Sequence, residues 1–222
     1  MATTKHNPQK FFRREPLWHG QLAVVAAIIL QIALPDRYLV APRYVVLVLE
    51  VILLLALIIT SPKEIIFRSV SRRVNAVVLI ALISLANIYA LLQVAQQLLG
   101  GARIATGSEL ILISLNIYIT NIIIFGLLYW EIDGGGPGKR LGVHPRERDF
   151  LYPQMSLGDL APANWRPTFV DYLYVSSTNA TAFSPTDTMP MTHRAKFLMA
   201  VQAVVSLITV ALVAARAVNI LN

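Results

Sequence analysis

Five stretches of the chain are almost continuously apolar: Trp18 to Leu34, Ala41 to Thr60, Val74 to Leu99, Glu109 to Trp130 and Ala195 to Leu221. A helix needs about 20 such residues to cross a hydrocarbon core roughly 30 Å thick, so the pattern predicts about five transmembrane helices, the first being the shortest. Many of these residues are β-branched, but backbone groups in hydrocarbon must be satisfied within the segment, which selects helix over strand. Short polar connectors separate the first four runs: Pro35-Asp-Arg37, the stretch from Ser61 to Arg73, and Gly100-Gly-Ala-Arg103. From Glu131 to Arg166 the pattern breaks. Gly134-Gly-Gly-Pro137-Gly opens a charged, proline-rich segment that reads as a flexible linker along the membrane surface. Helical character returns after Pro167, with Asp171 close to the positive end of the new helix. A helix from about Thr168 to Ala180 is on the order of 20 Å long, too short to cross a bilayer. It fits a re-entrant helix, which Ser184-Pro-Thr-Asp187 then ends.

Composition supports a membrane protein and excludes several chemistries. Of the 222 residues 56% are hydrophobic, too many for a soluble domain of this size. There is no cysteine, so disulfides and thiolate chemistry are excluded, and His6, His19, His144 and His193 show no metal-ligand spacing. No metal and no cofactor is expected. Gly134 to Lys139 is not a phosphate-binding loop: Asp133 stands where a Walker motif needs its first glycine, and no Ser or Thr follows Lys139. His144 and Asp149 alone do not make a catalytic site, so no enzyme is expected. The net charge of +7 comes from Lys and Arg in short segments beside apolar runs, the pattern of membrane topology and not of a nucleic-acid partner. The basic start lacks a small-residue cleavage site before Pro35, so the first run is read as a retained span.

The sequence Asp171-Tyr-Leu-Tyr-Val-Ser-Ser-Thr-Asn-Ala-Thr181-Ala-Phe-Ser-Pro-Thr-Asp187-Thr-Met-Pro190, followed by an apolar segment, resembles the pore module of tetrameric potassium-channel-like pore-loop proteins. Thr181, Asp187 and Pro190 hold the places of the family's filter threonine, aspartate and following proline. The chain also looks like a group of bacterial multi-pass membrane proteins with a similar T-A-F-S-P-T-D stretch, which lends no activity. The channel resemblance implies an all-α polytopic membrane protein divided as a basic tail 1–17, a three-helix segment 18–107 and a pore-loop module 108–222. Within the module it implies an outer helix 109–130, a linker 131–166, a pore helix and filter-like loop 168–187 and an inner helix 195–221. It further implies a homotetramer in the lipid bilayer of a bacterial cell membrane, with monovalent cations as traffic.

The filter itself departs from the family. Potassium selectivity there comes from backbone carbonyls in a glycine-dependent conformation. Ser184 and Thr186 take the glycine places here and Pro185, with φ fixed near −65°, takes the tyrosine place. The filter-like loop Thr181, Ala182, Phe183, Ser184, Pro185, Thr186 and Asp187 therefore implies hydroxyl rings, an apolar constriction at Phe183 and a carboxylate ring at Asp187. The expected function is a weakly selective cation pore; the alternative is a non-conducting scaffold retaining the fold. None of the first four spans carries the regular arginines of a voltage sensor.

Polar residues inside spans add two expectations. Glu50 and Arg216 lie at compatible depths from one membrane face, so a buried ion pair between them is expected. Asn87, Asn116, Thr120 and Asn121 are read as helix-to-helix hydrogen-bonding groups. With five spans, the basic tail, the loop with Lys63, Arg68, Arg72 and Arg73, and the linker with Lys139, Arg140, Arg146 and Arg148 fall on one side. That side should be cytoplasmic, the reverse of a potassium channel.

Overall fold

The fold follows from where each apolar helix finds a partner. The computed structural model describes residues 17–40, 42–60, 70–99, 107–140, 147–162, 165–182 and 187–221. Four helices come first: α1 (Trp18–Ile32), α2 (Arg43–Thr60), α3 (Val70–Leu99) and α4 (Gly107–Ile132). A single turn, α5 (Pro137–Arg140), and a short strand, β1 (Phe150–Leu151), then precede α6 (Phe169–Ala182), strand β2 (Met189–Pro190) and α7 (His193–Leu221). The protein is all-α apart from the antiparallel β1–β2 pair, which sets Phe150 opposite Pro190 and Leu151 opposite Met189. Three segments, Arg72–Leu98, Ser108–Gly135 and His193–Ala215, are long and apolar enough to cross a membrane, while α1 and α2 give shorter apolar helices.

α4 is the central element. Gly20 of α1 lies against Trp130 and the Leu30 carbonyl accepts a hydrogen bond from Asn116, so α1 runs antiparallel to α4. Arg72 near the start of α3 reaches Glu131, and Asn87 donates to the Ile117 carbonyl, so α3 is antiparallel to α4 as well. α6 does the same: Leu173 packs on Gly126 and the Ser176 hydroxyl donates to the Ile122 carbonyl. A Cβ on Gly126 would stand 3.2 Å from the Leu173 Cα, so glycine sets how closely α6 approaches, as small residues do between membrane helices.

Local chemistry explains the ends near the linker. α4 stops at a glycine run in which Gly134 has φ +57°, a left-handed conformation that other residues rarely adopt. Asp171 accepts hydrogen bonds from the Thr168 N–H and hydroxyl, closing the start of α6. Thr192 caps α7 by accepting the Ala195 N–H. Two apolar clusters result. The larger, at the linker end, includes Trp130, Tyr129, Phe150, Tyr152, Phe169 and Tyr172; the smaller, at the opposite end, includes Leu34, Tyr38, Leu91 and Ile113.

Candidate functional site

The filter-like loop is described only at its edges. Thr181 and Ala182 form the exposed last turn of α6 and Asp187 is exposed beyond it. Phe183, Ser184, Pro185 and Thr186 lie outside the described residues. The Thr181 hydroxyl is turned back onto the Ser177 carbonyl at 2.9 Å. Glu50 is buried at 1% exposure and hydrogen-bonds to Gln31 of α1, while its Oε1 has no hydrogen-bond partner among the described residues. The Arg216 side chain lies outside the described residues, and so does its expected pairing with Glu50. Sequence position alone did not point to Gln31.

What anchors α6 is a buried polar network between three helices. Gln202 of α7 donates from Nε2 to the Ser176 carbonyl at 2.9 Å and the Ser176 hydroxyl at 2.7 Å. Its Oε1 accepts from the Tyr129 hydroxyl of α4 at 2.5 Å and from Asn179 Nδ2 at 2.8 Å. Asn179 donates to the Met199 carbonyl too, so this side chain of a glycosylation sequon is buried. Farther along, Asn121 donates to Ser206 at 3.0 Å. Asn87 and Asn116 bond to carbonyls of other helices, while Thr120 lies 3.5 Å from Asn116 on its own helix.

The linker differs most from its sequence reading. In place of a flexible segment, its described part is drawn into the fold by buried charges. Asp133 is fully buried: its Oδ1 accepts the N–H groups of Asp149 and Phe150 at 2.8 and 3.2 Å, and its Oδ2 accepts the Tyr172 hydroxyl at 2.6 Å. Arg140 donates from Nη1 to the Tyr172 hydroxyl at 2.5 Å and the Trp130 carbonyl at 3.2 Å, and lies 3.6 Å from Asp133. Asp149, also fully buried, accepts from Thr192 at 2.6 Å, from the Gly134 N–H at 3.3 Å and from both Nε and Nη2 of Arg194. One carboxylate thus ties the end of α4 and the linker to the start of α7. Arg72 and Glu131 pair through two bonds at 3.0 and 3.2 Å. Burial pushes the Tyr152 hydroxyl well above its ordinary range, an effect to which Tyr172 and Asp133 add.

These partners are tens of residues apart, which is why turn chemistry alone reads the segment as flexible. One signal was available: the aromatic residues Phe150 and Tyr152 beside the charged Arg148 and Asp149, more apolar than a solvated linker needs. Two basic residues assigned to topology, Arg72 and Arg140, are therefore also internal partners. No protein-family model, curated protein or solved structure matches the chain.

Proposed function

We propose that the chain is a pore-loop membrane protein whose α4, α6 and α7 serve as outer helix, re-entrant helix and inner helix of a homotetrameric, weakly selective cation pore. The reading takes α1 and α2 as the two short members of five spans. The observation that carries it is the anchoring of α6. Its first turns sit beside Asp133 and Trp130 at the end of α4, and its later turns reach Ile122 of α4 and Gln202 of α7. Both β2 and the α7 cap return to Asp149 at the same end. α6, at 14 residues, is about 21 Å long, and the seven steps from Ala182 to Met189 can span about 25 Å at full extension. A chain that enters and leaves on one side fits these lengths. The α6 dipole would point its negative end toward a pore axis, and Asp187 would add carboxylates at the mouth, favouring cations.

Cation flux into proteoliposomes tests this. The expected outcome is flux from wild type that rises in Phe183→Ala and falls in Asp187→Asn. No conductance from wild type and Phe183→Ala alike would sink the proposal and leave a non-conducting scaffold.

A further inference from the structure

Glu50 is the only acidic residue of α2, and it sits inside an apolar helix with no charge set against it. It is 1% exposed and lies about 10 Å along the helix from Arg43 at the start of α2. Val48, Leu49, Val51 and Ile52 around it are exposed and present α2 to lipid, whereas Glu50 turns inward to Gln31 of α1. Gln31 is buried too. The carboxyl oxygen Oε1 has no hydrogen-bond partner among the described residues.

The elements packed against α2 do not supply a counter-charge. These are α1 and α3. α1 carries one titratable residue, His19, at its other end. α3 carries Arg72 and Arg73 near its start at the linker end, where Glu131 holds Arg72, and Tyr89, whose hydroxyl accepts from Gln93. In the turn between α1 and α2, Arg37 pairs with Glu109 and Tyr38 bonds to Gln97, with Asp36 beside them. α2 itself adds Arg43 and the exposed Tyr44. Arg216 belongs to α7, which packs chiefly on α4 and α6. Among the described residues no cation pairs with Glu50.

An ionised carboxylate accepts at about four lone-pair positions, and holding it in hydrocarbon without a counter-charge is costly. One amide and an unmet second oxygen fall short of that demand. A neutral carboxylic acid asks for less, because it carries its own donor and an amide can face it with both an acceptor and a donor. A proton also needs no cavity. We propose that Glu50 is a proton-binding site within the membrane, resting as a neutral carboxylic acid bonded to Gln31. The bound proton then does what the ion pair with Arg216 was expected to do. The site rests on α2 lying in the membrane and not on conduction, so its failure and the failure of the pore are separate results.

Infrared difference spectroscopy of the full chain in lipid at neutral pH tests this, because a carboxyl group absorbs differently with and without its proton. Wild type minus Glu50→Gln should contain the carbonyl stretch of a neutral acid. Gln31→Leu should keep that band and shift it to higher frequency, since hydrogen bonding lowers it, and this keeps the test available if Glu50→Gln fails to fold. Arg216→Gln should leave the band unchanged. Carboxylate stretches in the wild type minus Glu50→Gln spectrum, or an acid band that appears only in Arg216→Gln, would show an ionised Glu50 and overturn the proposal. A band that ignores Gln31→Leu would overturn it as well, because the acid would then lack its proposed partner.

Discussion

At the scale of single residues, the linker end is organised by carboxylates that serve backbone and side chain together. Asp149 accepts hydrogen bonds from a helix-ending glycine, from the threonine that caps α7 and from Arg194, whose own side chain is half exposed. Arg194 can recover water if the pairing is lost; the Gly134 N–H and Thr192 hydroxyl cannot do so as readily. Asp149→Ala should therefore cost on the order of 2–4 kcal/mol, mainly through donors left buried and unpaired. Asp149→Asn keeps one acceptor oxygen and should cost about half as much. Thermal unfolding in detergent measures both, and an alanine variant as stable as wild type would show that the β1–β2 pairing holds this corner by itself. Glu50 is a contrasting case: its depth within an apolar run is readable from the sequence, yet the group that meets it is an amide on α1.

At the scale of elements, α6 is held by polar contacts in addition to its apolar face. Gln202 alone links all three helices of this unit, through Tyr129 on α4 and Ser176 and Asn179 on α6. Gln202→Leu leaves the buried Tyr129 hydroxyl without its acceptor and takes one bond from Asn179 and two from Ser176, so its cost should be about 2–4 kcal/mol, against about 1 kcal/mol for Tyr129→Phe. The double variant should cost clearly less than the sum, because the tyrosine hydroxyl has no acceptor left to lose. A double-mutant cycle read by thermal unfolding checks this; strict additivity would mean that the network does not act as a unit. The helices themselves were legible, since long apolar runs and the Pro167–Asp171 start signal depend only on local sequence. Even so, α3 begins at Val70, four residues before the apolar run, because Arg72 has an acceptor in Glu131 on α4. The linker was not legible for the same reason: Asp133 with Tyr172, and Asp149 with Arg194, are pairings that only the folded chain brings together. Of the candidate loop only the flanks Thr181, Ala182 and Asp187 fall among the described residues, and the network that positions α6 carries no local signature beyond ordinary polar residues in a helix.

At the scale of the whole molecule, helix directions sort the charges onto two ends. The antiparallel pairings place the starts of α1, α3, α6 and α7 and the ends of α2 and α4 together with the linker. The opposite end holds the turn around Asp36–Tyr38, where Tyr38 bonds to Gln97 near the end of α3 and Arg37 pairs with Glu109 near the start of α4. Arg72, Arg73, Lys139, Arg140, Arg148, Arg166 and Arg194 all belong to the linker end, against few basic residues at the other. Pairing of some of these with Glu131, Asp133 and Asp149 does not cancel their topological weight, because the orientation bias counts Lys and Arg and is little affected by acidic neighbours. The linker end should therefore face the cytoplasm. The chain contains no cysteine, so single replacements at the exposed Lys139 and Asp36 can be labelled without background. In intact cells, a membrane-impermeant maleimide should label Asp36→Cys and spare Lys139→Cys until the membrane is opened. The reverse pattern would place the linker outside, and the proposed pore mouth flanked by Asp187 would then face outward too. The expected pattern instead sets the proposed mouth at the cytoplasmic surface, on the side of the basic linker residues.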